Sequence, residues 1–167
     1  TEKQRSRARP FRLRAKGLCK GGGLLIPVVI LDENRNRHLA QELGGLLRQI
    51  APAAVATRRE FFLPAAPAEF LLFQGADGLR VDAPHPIVVL APDLVQIPEI
   101  RLPQDARLIL SSQDPQGADF ASREKLEVLD CGLSLRDTLT FSSRTEHEAV
   151  ITLQRPLEDL WGRTVDP

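Results

Sequence analysis

The stretch Leu24–Leu31 (LLIPVVIL) decides the fold class, because it is a continuous apolar run rich in β-branched residues. Such a run is typical of a strand that is buried on both faces of a parallel sheet. Pro27 removes one donor from the hydrogen-bond ladder, so the early part of the run is predicted to be an edge or a lead-in. Asp32 or Asn34, which follow the run, can cap a helix.

A helix is predicted from about Arg35 to Ile50. Its apolar residues recur at helical spacing, namely Leu39, Leu43, Leu46, Leu47 and Ile50. Gly44 and Gly45 weaken the helix by about 1 kcal/mol each. Pro52 is predicted to end it. A strand followed by an amphipathic helix is the first half of a parallel βαβ unit.

The same alternation continues towards the C-terminus. Buried strands are predicted at Ile87–Ala91, Asp105–Leu110 and Glu127–Cys131. Asp114-Pro115 starts a short helix over Gln116–Lys125, with the aspartate as the cap and proline at the first helical position. These elements extend the parallel sheet by further strands.

Residues 53–84 are harder to assign. Phe61–Leu63 is predicted to be a short strand, and Glu69–Gln74 fits either a strand or a helix. The turn signal Gly75–Gly78 suggests that Leu79–Val81 pairs back as a hairpin. The topology of this stretch stays open at the level of the sequence.

The C-terminal part has a different pattern, in which polar and apolar residues alternate. Thr138–Ser143 and Ala149–Gln154 are predicted to form an antiparallel hairpin. One face of the hairpin carries Leu139, Phe141, Ile151 and Leu153. The predicted fold is therefore α/β, a three-layer Rossmann-like, mostly parallel sheet with a C-terminal hairpin. Residues 23–167 form the predicted single domain, and residues 1–22 a flexible basic arm.

The charges are unevenly distributed, although 22 basic and 22 acidic side chains give a net charge of zero. Residues 1–20 hold eight basic side chains and one acidic one, a net charge of +7 that the rest of the chain balances with −7. Such an arm can bind nucleic acid or another anionic partner, or it can be a solvated tail. The candidate contacts are Arg5, Arg7, Arg9, Arg12, Arg14 and Lys16.

Several classes of protein are disfavoured by composition. No apolar run is long enough to span a membrane, and two cysteines are too few for a disulfide scaffold. The three histidines lack partners at zinc-ligand spacing. We see no secretory signal, and we expect a cytoplasmic protein that needs no cofactor or metal.

Leu108–Ser134 reads as strand, Ser-Ser-Gln-Asp-Pro, helix, strand and Cys-Gly-Leu-Ser. This order resembles the end of the central ATP-binding domain of the Mur ligases, the peptidoglycan amino-acid ligases. Short Mur-ligase-like proteins of Firmicutes carry patterns similar to Cys131–Ser134 and Asp137–Thr140. By element order, the resemblance covers about residues 24–155.

The chain departs from that family where ATP would bind. The family's phosphate loop ends in Gly-Lys-Thr, and the matching positions are Arg35, Asn36 and Arg37. A phosphate loop needs glycine for close backbone approach, lysine for the outer phosphates and a hydroxyl for magnesium. The family's metal-binding glutamate and modified lysine also have no convincing counterparts. The resemblance therefore implies a degenerate domain that does not hydrolyse ATP in the family's way.

Ligands of open α/β sheets bind at the carboxyl ends of the strands. The candidate ligand-binding residues are accordingly those at predicted strand ends: Asp32, Asn34, Asn36, Arg37, Asp93, Ser111, Asp114 and Cys131.

Three functions remain open. The first is a non-catalytic domain that binds a protein partner, a nucleotide-like ligand or a second copy of itself. The free edge of the hairpin suits self-assembly, because unpaired strand edges recruit other strands. The second is a small enzyme or an anion-binding protein with its site at the strand ends. The third is nucleic-acid binding through the basic arm.

Overall fold

The computed structural model describes residues 12–14, 25–32, 38–75, 78–92, 94–145 and 148–167. In chain order, the elements are β1 (Arg12–Arg14), β2 (Ile26–Leu31), α1 (Leu39–Ile50), β3 (Ala53–Ala56), β4 (Phe61–Phe62), β5 (Phe70–Gln74), β6 (Leu79–Asp82), β7 (Ile87–Leu90), β8 (Ile100–Arg101), β9 (Arg107–Ser111), α2 (Pro115–Glu124), β10 (Glu127–Gly132), β11 (Leu139–Arg144), β12 (Ala149–Leu153), β13 (Leu157–Glu158) and β14 (Thr164–Val165).

These elements make an α/β fold with a large, mostly parallel sheet, as predicted. The sheet has nine strands in the order β12-β11-β10-β9-β7-β2-β5-β3-β4. Its ladders are parallel except at the two ends, where β11 pairs with β12 and β3 pairs with β4 in antiparallel fashion. A separate sheet of three parallel strands has the order β1-β6-β8.

Strand β2 lies in the middle of the large sheet, with β5 on one side and β7 on the other. The prediction of an edge at Pro27 is therefore wrong, whereas the predicted lead-in is present on the β7 side. The Ile26 N–H donates to the Glu69 carbonyl on the β5 side, so the nitrogen of Pro27 faces β7. The ladder with β7 starts only at Val28, and the donor that proline lacks is not needed.

Helix α1 covers one face of the large sheet around Val28 and Ile30, both buried. A Cβ added at Gly44 would lie 3.2 Å from Leu72 Cδ2, so this glycine lets the helix approach the sheet closely. Gly45 has open space around it. The N-cap residue is His38, whose side chain makes no capping hydrogen bond, and not Asp32.

The opposite face of the large sheet packs against α2 and the three-stranded sheet. Val29 and Leu31 point to this side, where they form a core with Leu79 of β6 and Phe120 of α2. The predicted hairpin at β6 is wrong, because β6 leaves β5 and pairs in parallel with β1 and β8. The alternating apolar residues of β6, Leu79 and Val81, are buried against the large sheet.

The remaining predictions of elements are largely confirmed. The short strand at Phe61–Phe62 and the strand at Phe70–Gln74 are both present. In the hairpin, Leu139 lies opposite Leu153 and Phe141 opposite Ile151, as the alternation predicts. Within the basic segment, Arg12–Arg14 are strand β1, so at these three residues an ordered strand replaces the predicted flexible arm.

Candidate functional site

The structure describes only some of the predicted site residues. Asp32 follows β2, Ser111 ends β9, Asp114 precedes α2 and Cys131 lies in β10. Eight other predicted site residues lie outside the described residues, namely Asn34, Asn36, Arg37 and Asp93, and Arg5, Arg7, Arg9 and Lys16 of the arm. Arg12 and Arg14 both belong to β1.

Asp32 is buried at the end of β2 and is held by a glutamine from the neighbouring strand. The Gln74 Nε2 donates to Asp32 Oδ1 and Oδ2 at 2.9 and 2.8 Å. The Gln74 Oε1 in turn accepts from the backbone N–H of Arg58 at 3.0 Å. The carboxylate therefore joins the ends of β2 and β5 to the segment after β3.

A cavity of about 350 Å³ lies beside this cluster, between the segment after β3 and the first turn of α1. Arg58 and Arg59 both line it, and within the described residues neither guanidinium forms an ion pair. Glu60, which also lines it, is bound by Arg48 Nη1 at 2.5 Å. This pair of arginines was not among the predicted site residues, because β3, which precedes it, was not predicted from the sequence.

Ser111 and Asp114 serve the local structure at the end of β9. The Asp114 Oδ1 accepts from the N–H groups of Gln116 and Gly117 at 3.1 and 3.0 Å, and so caps α2. The Ser111 Oγ accepts from the Gln113 N–H at 3.3 Å. The Asp114 Oδ1 and the Ser111 Oγ are thus used by the strand-to-helix turn.

Cys131 is half-buried in β10. Burial raises the pKa of its thiol, and the carboxylates of Asp130 and Asp137 raise that pKa further. A nucleophilic cysteine needs the opposite, because the thiolate is the reactive form. The surroundings of Cys131 therefore suit an inert thiol.

A buried polar cluster lies where β10 passes into β11. The Asp137 Oδ2 accepts from Ser112 Oγ at 3.1 Å and from the Ser134 N–H at 2.9 Å. Asp137 is almost fully buried, and the cluster leaves no room for a side chain at Gly132. In the sequence, Asp137 stood out only as the first residue of the pattern Asp137–Thr140, and its place in this cluster was not predicted.

Asp130 of β10 binds Thr138, the residue that follows Asp137. Burial, the largest single cause, raises the pKa of the Asp130 carboxyl, and hydrogen bonds from the N–H and Oγ1 of Thr138, at 2.8 and 2.5 Å, lower it. The Arg155 guanidinium, 3.3 Å from the Asp130 Oδ1, lowers it further. The net result is a lowered pKa, so the charged form of Asp130 stabilises the fold.

We expect Asp130→Asn to destabilise the protein at neutral pH and to matter less in acid. A carboxyl whose pKa is lowered on folding stabilises the fold at pH values above its ordinary pKa of 3.8. This stabilisation is lost as the pH falls through the lowered pKa of the folded state. Urea unfolding at several pH values measures the difference between parent and variant. The exposed Asp166→Asn change is the control. A difference that stays constant down to the lowest pH would contradict this assignment.

The C-terminal hairpin leaves one edge of the large sheet free among the described residues. Strand β12 pairs only with β11, and none of its five residues is charged. Phe141 is 46% exposed and Ile151 is 59% exposed, and they lie side by side on one face. An uncharged apolar edge strand without proline is the kind that pairs with other chains.

Within the described residues, no group of three or more His, Cys, Asp or Glu side chains is arranged to hold a metal ion. Across the same part of the chain, no helix has the length and apolar character that crossing a membrane requires.

No protein-family model matches the chain, and no curated protein matches it. The functional interpretation therefore depends on the geometry of the cavity and the edge.

Proposed function

We propose that the chain is a Mur-ligase-like domain with a three-layer Rossmann-like fold, and that it acts without catalysis as a self-assembly module. The observation that carries the proposal is the free, uncharged edge of β12. The order β9, α2, β10 agrees with the resemblance. The structural roles of Asp114 and Cys131 support a role other than catalysis.

The hydrogen bonds of the hairpin fix which backbone groups of β12 are free. The Gln154 N–H donates to the Thr138 carbonyl, and the Glu148 carbonyl accepts from the Thr145 N–H. Because backbone groups alternate along a strand, the even-numbered residues of β12 point to β11. The N–H and carbonyl groups of Ala149, Ile151 and Leu153 therefore point outwards.

These outward groups define one pairing between two copies. A two-fold axis through an antiparallel pair places a residue opposite itself, and centring on Ile151 uses the full length of β12. Ala149 then pairs with Leu153 of the second copy, and each opposed pair exchanges two hydrogen bonds. Ile151 contacts its own counterpart, with Phe141 beside it on the same face. The exposed apolar face thus becomes continuous across the dimer.

We expect the parent chain to form a dimer and Ile151→Lys to be monomeric. The substitution places two ammonium groups opposite each other and removes two isoleucines that the dimer would bury. The dissociation constant of the dimer is therefore expected to increase at least about 100-fold. Sedimentation over a range of concentrations measures this. The control is Leu135→Lys, at an 80% exposed position outside the strands. A monomeric parent, or a variant that dimerises like the parent, would refute the proposal.

A second candidate function is anion or nucleotide binding in the cavity beside α1. Its size and the two unpaired arginines among the described residues, Arg58 and Arg59, favour it. Thermal unfolding with ATP, ADP, UDP-sugars and magnesium tests it. A ligand at 100 times its Kd adds about 2.7 kcal/mol of stability. A saturable shift that disappears in the R58Q/R59Q variant is the expected result, and no shift across the panel counts against this candidate.

A further inference from the structure

Three arginines from distant parts of the chain lie in one row across the three-stranded sheet. Arg12 of β1 is in register with Arg80 of β6, and Arg80 is in register with Arg101 of β8. Leu13, Leu79 and Val81, which alternate with them, are buried against the large sheet. The arginines therefore lie on the outer face, where the side chains of Arg12 and Arg80 are 44% and 46% exposed.

This arginine row (Arg12, Arg80 and Arg101) has more positive charge than its neighbours balance. Asp82 accepts from Arg80 Nε at 2.8 Å and also from Arg12 Nε. Within the described residues, Arg101 forms no ion pair. Like charges on directly opposed residues of neighbouring strands repel each other. Among the described residues that line the groove, three guanidinium groups face two carboxylates, Asp82 and Asp105, and Asp105 already accepts from the His85 N–H at 2.9 Å. A bound anion would stabilise this arrangement.

The shape of the surface fits an extended ligand. The row lines an open groove of about 840 Å³. Neighbouring strands are about 4.8 Å apart, so three cations span roughly 10 Å in a line. A planar guanidinium binds phosphate oxygens through paired hydrogen bonds. A line of such groups matches a series of phosphates better than it matches one isolated anion.

We infer that the arginine row binds the phosphate backbone of duplex nucleic acid without reading its sequence. Among the described residues, no aromatic side chain lines the groove, so the base stacking used by single-strand binders has no partner in this part of the chain. None of its lining residues is among the exposed large apolar side chains, which a membrane-binding surface would need. Strand β1 also belongs to the basic segment of the sequence, residues 1–20, which holds eight basic side chains and one acidic one.

The test is fluorescence anisotropy of the full chain with a labelled DNA duplex of mixed sequence, over a range of salt concentrations. We expect the logarithm of the binding constant to fall linearly with the logarithm of salt. R80Q/R101Q is expected to weaken binding at least about tenfold and to reduce the salt slope by about 2. R80K/R101K, which keeps the charges, is expected to retain the parent slope.

The matched control is R123Q/K125Q, which removes the same charge at the end of α2. It is expected to bind like the parent. Because both side chains are on the outer face, R80Q/R101Q is expected to fold like the parent. Far-UV circular dichroism checks this. The inference is overturned if the parent does not bind the duplex, if it binds only anionic vesicles, or if R80Q/R101Q keeps the parent's affinity and slope. It is independent of the proposed dimer, because the row and β12 lie in different sheets.

Discussion

Gly132→Ala is expected to destabilise the protein by about 2–5 kcal/mol. An added Cβ would collide with Ser112 Oγ and with Asp137 Oδ2, and both atoms belong to the buried polar cluster. Because the Ser112 hydroxyl donates to the Asp137 carboxylate, moving either group leaves polar atoms unpaired in a buried place. Chemical denaturation measures the loss as a lower midpoint.

Gly45→Ala is the matched control for this substitution. Gly45 lies inside α1 with open space around it, so the same chemical change is expected to stabilise the protein by about 0.5–1 kcal/mol. Opposite signs for the two variants would support the described packing. A Gly132→Ala protein as stable as the parent would mean that the cluster around Asp137 is arranged differently.

Leu79→Ala is expected to destabilise the protein by about 2–5 kcal/mol, as large-to-small changes in a core do. Leu79 is almost fully buried and packs with Leu31 of β2 in the core between the two sheets. Its loss would weaken the attachment of the three-stranded sheet that carries the arginine row. Thermal and urea unfolding measure the change.

Leu135→Ala is the control for Leu79→Ala, since Leu135 is 80% exposed and outside the strands. Its effect is expected to stay within about 0.5 kcal/mol. If Leu79→Ala has an equally small effect, β6 is not packed on the large sheet. The hairpin that the sequence suggests would then be the better description of this stretch.

The main strands were predictable from the sequence because their signals are local. The continuous apolar run at Leu24–Leu31 reflects burial on both faces of β2. The alternation in the C-terminal hairpin correctly predicts that Phe141 and Ile151 share a face, although both are exposed on it. The partner of β6 was not predictable, because the alternation of Leu79–Asp82 specifies one buried face but not the sheet. Pro27 is tolerated in a central strand because the β2–β7 ladder starts only at Val28. That starting point depends on residues far apart in the chain.

The candidate site was predictable only as a region. Asp32 follows a strand, as the apolar run before it predicts, but the sequence could not show that Gln74 holds its carboxylate. The arginine row was hidden because Arg80 and Arg101 come together only through strand register. A proposed site built from residues far apart in the chain needs the tertiary structure.

The central claim, pairing of two copies along β12, is tested most directly by amide hydrogen exchange at several protein concentrations. The N–H groups of Ala149, Ile151 and Leu153 point away from β11, so we expect their protection to rise as dimers form. Val150 and Thr152 donate towards β11 and are expected to be protected equally at every concentration. Slow exchange of the outward amides only at high concentration is the result that this account predicts. Fast exchange of Ile151 at every concentration would contradict it.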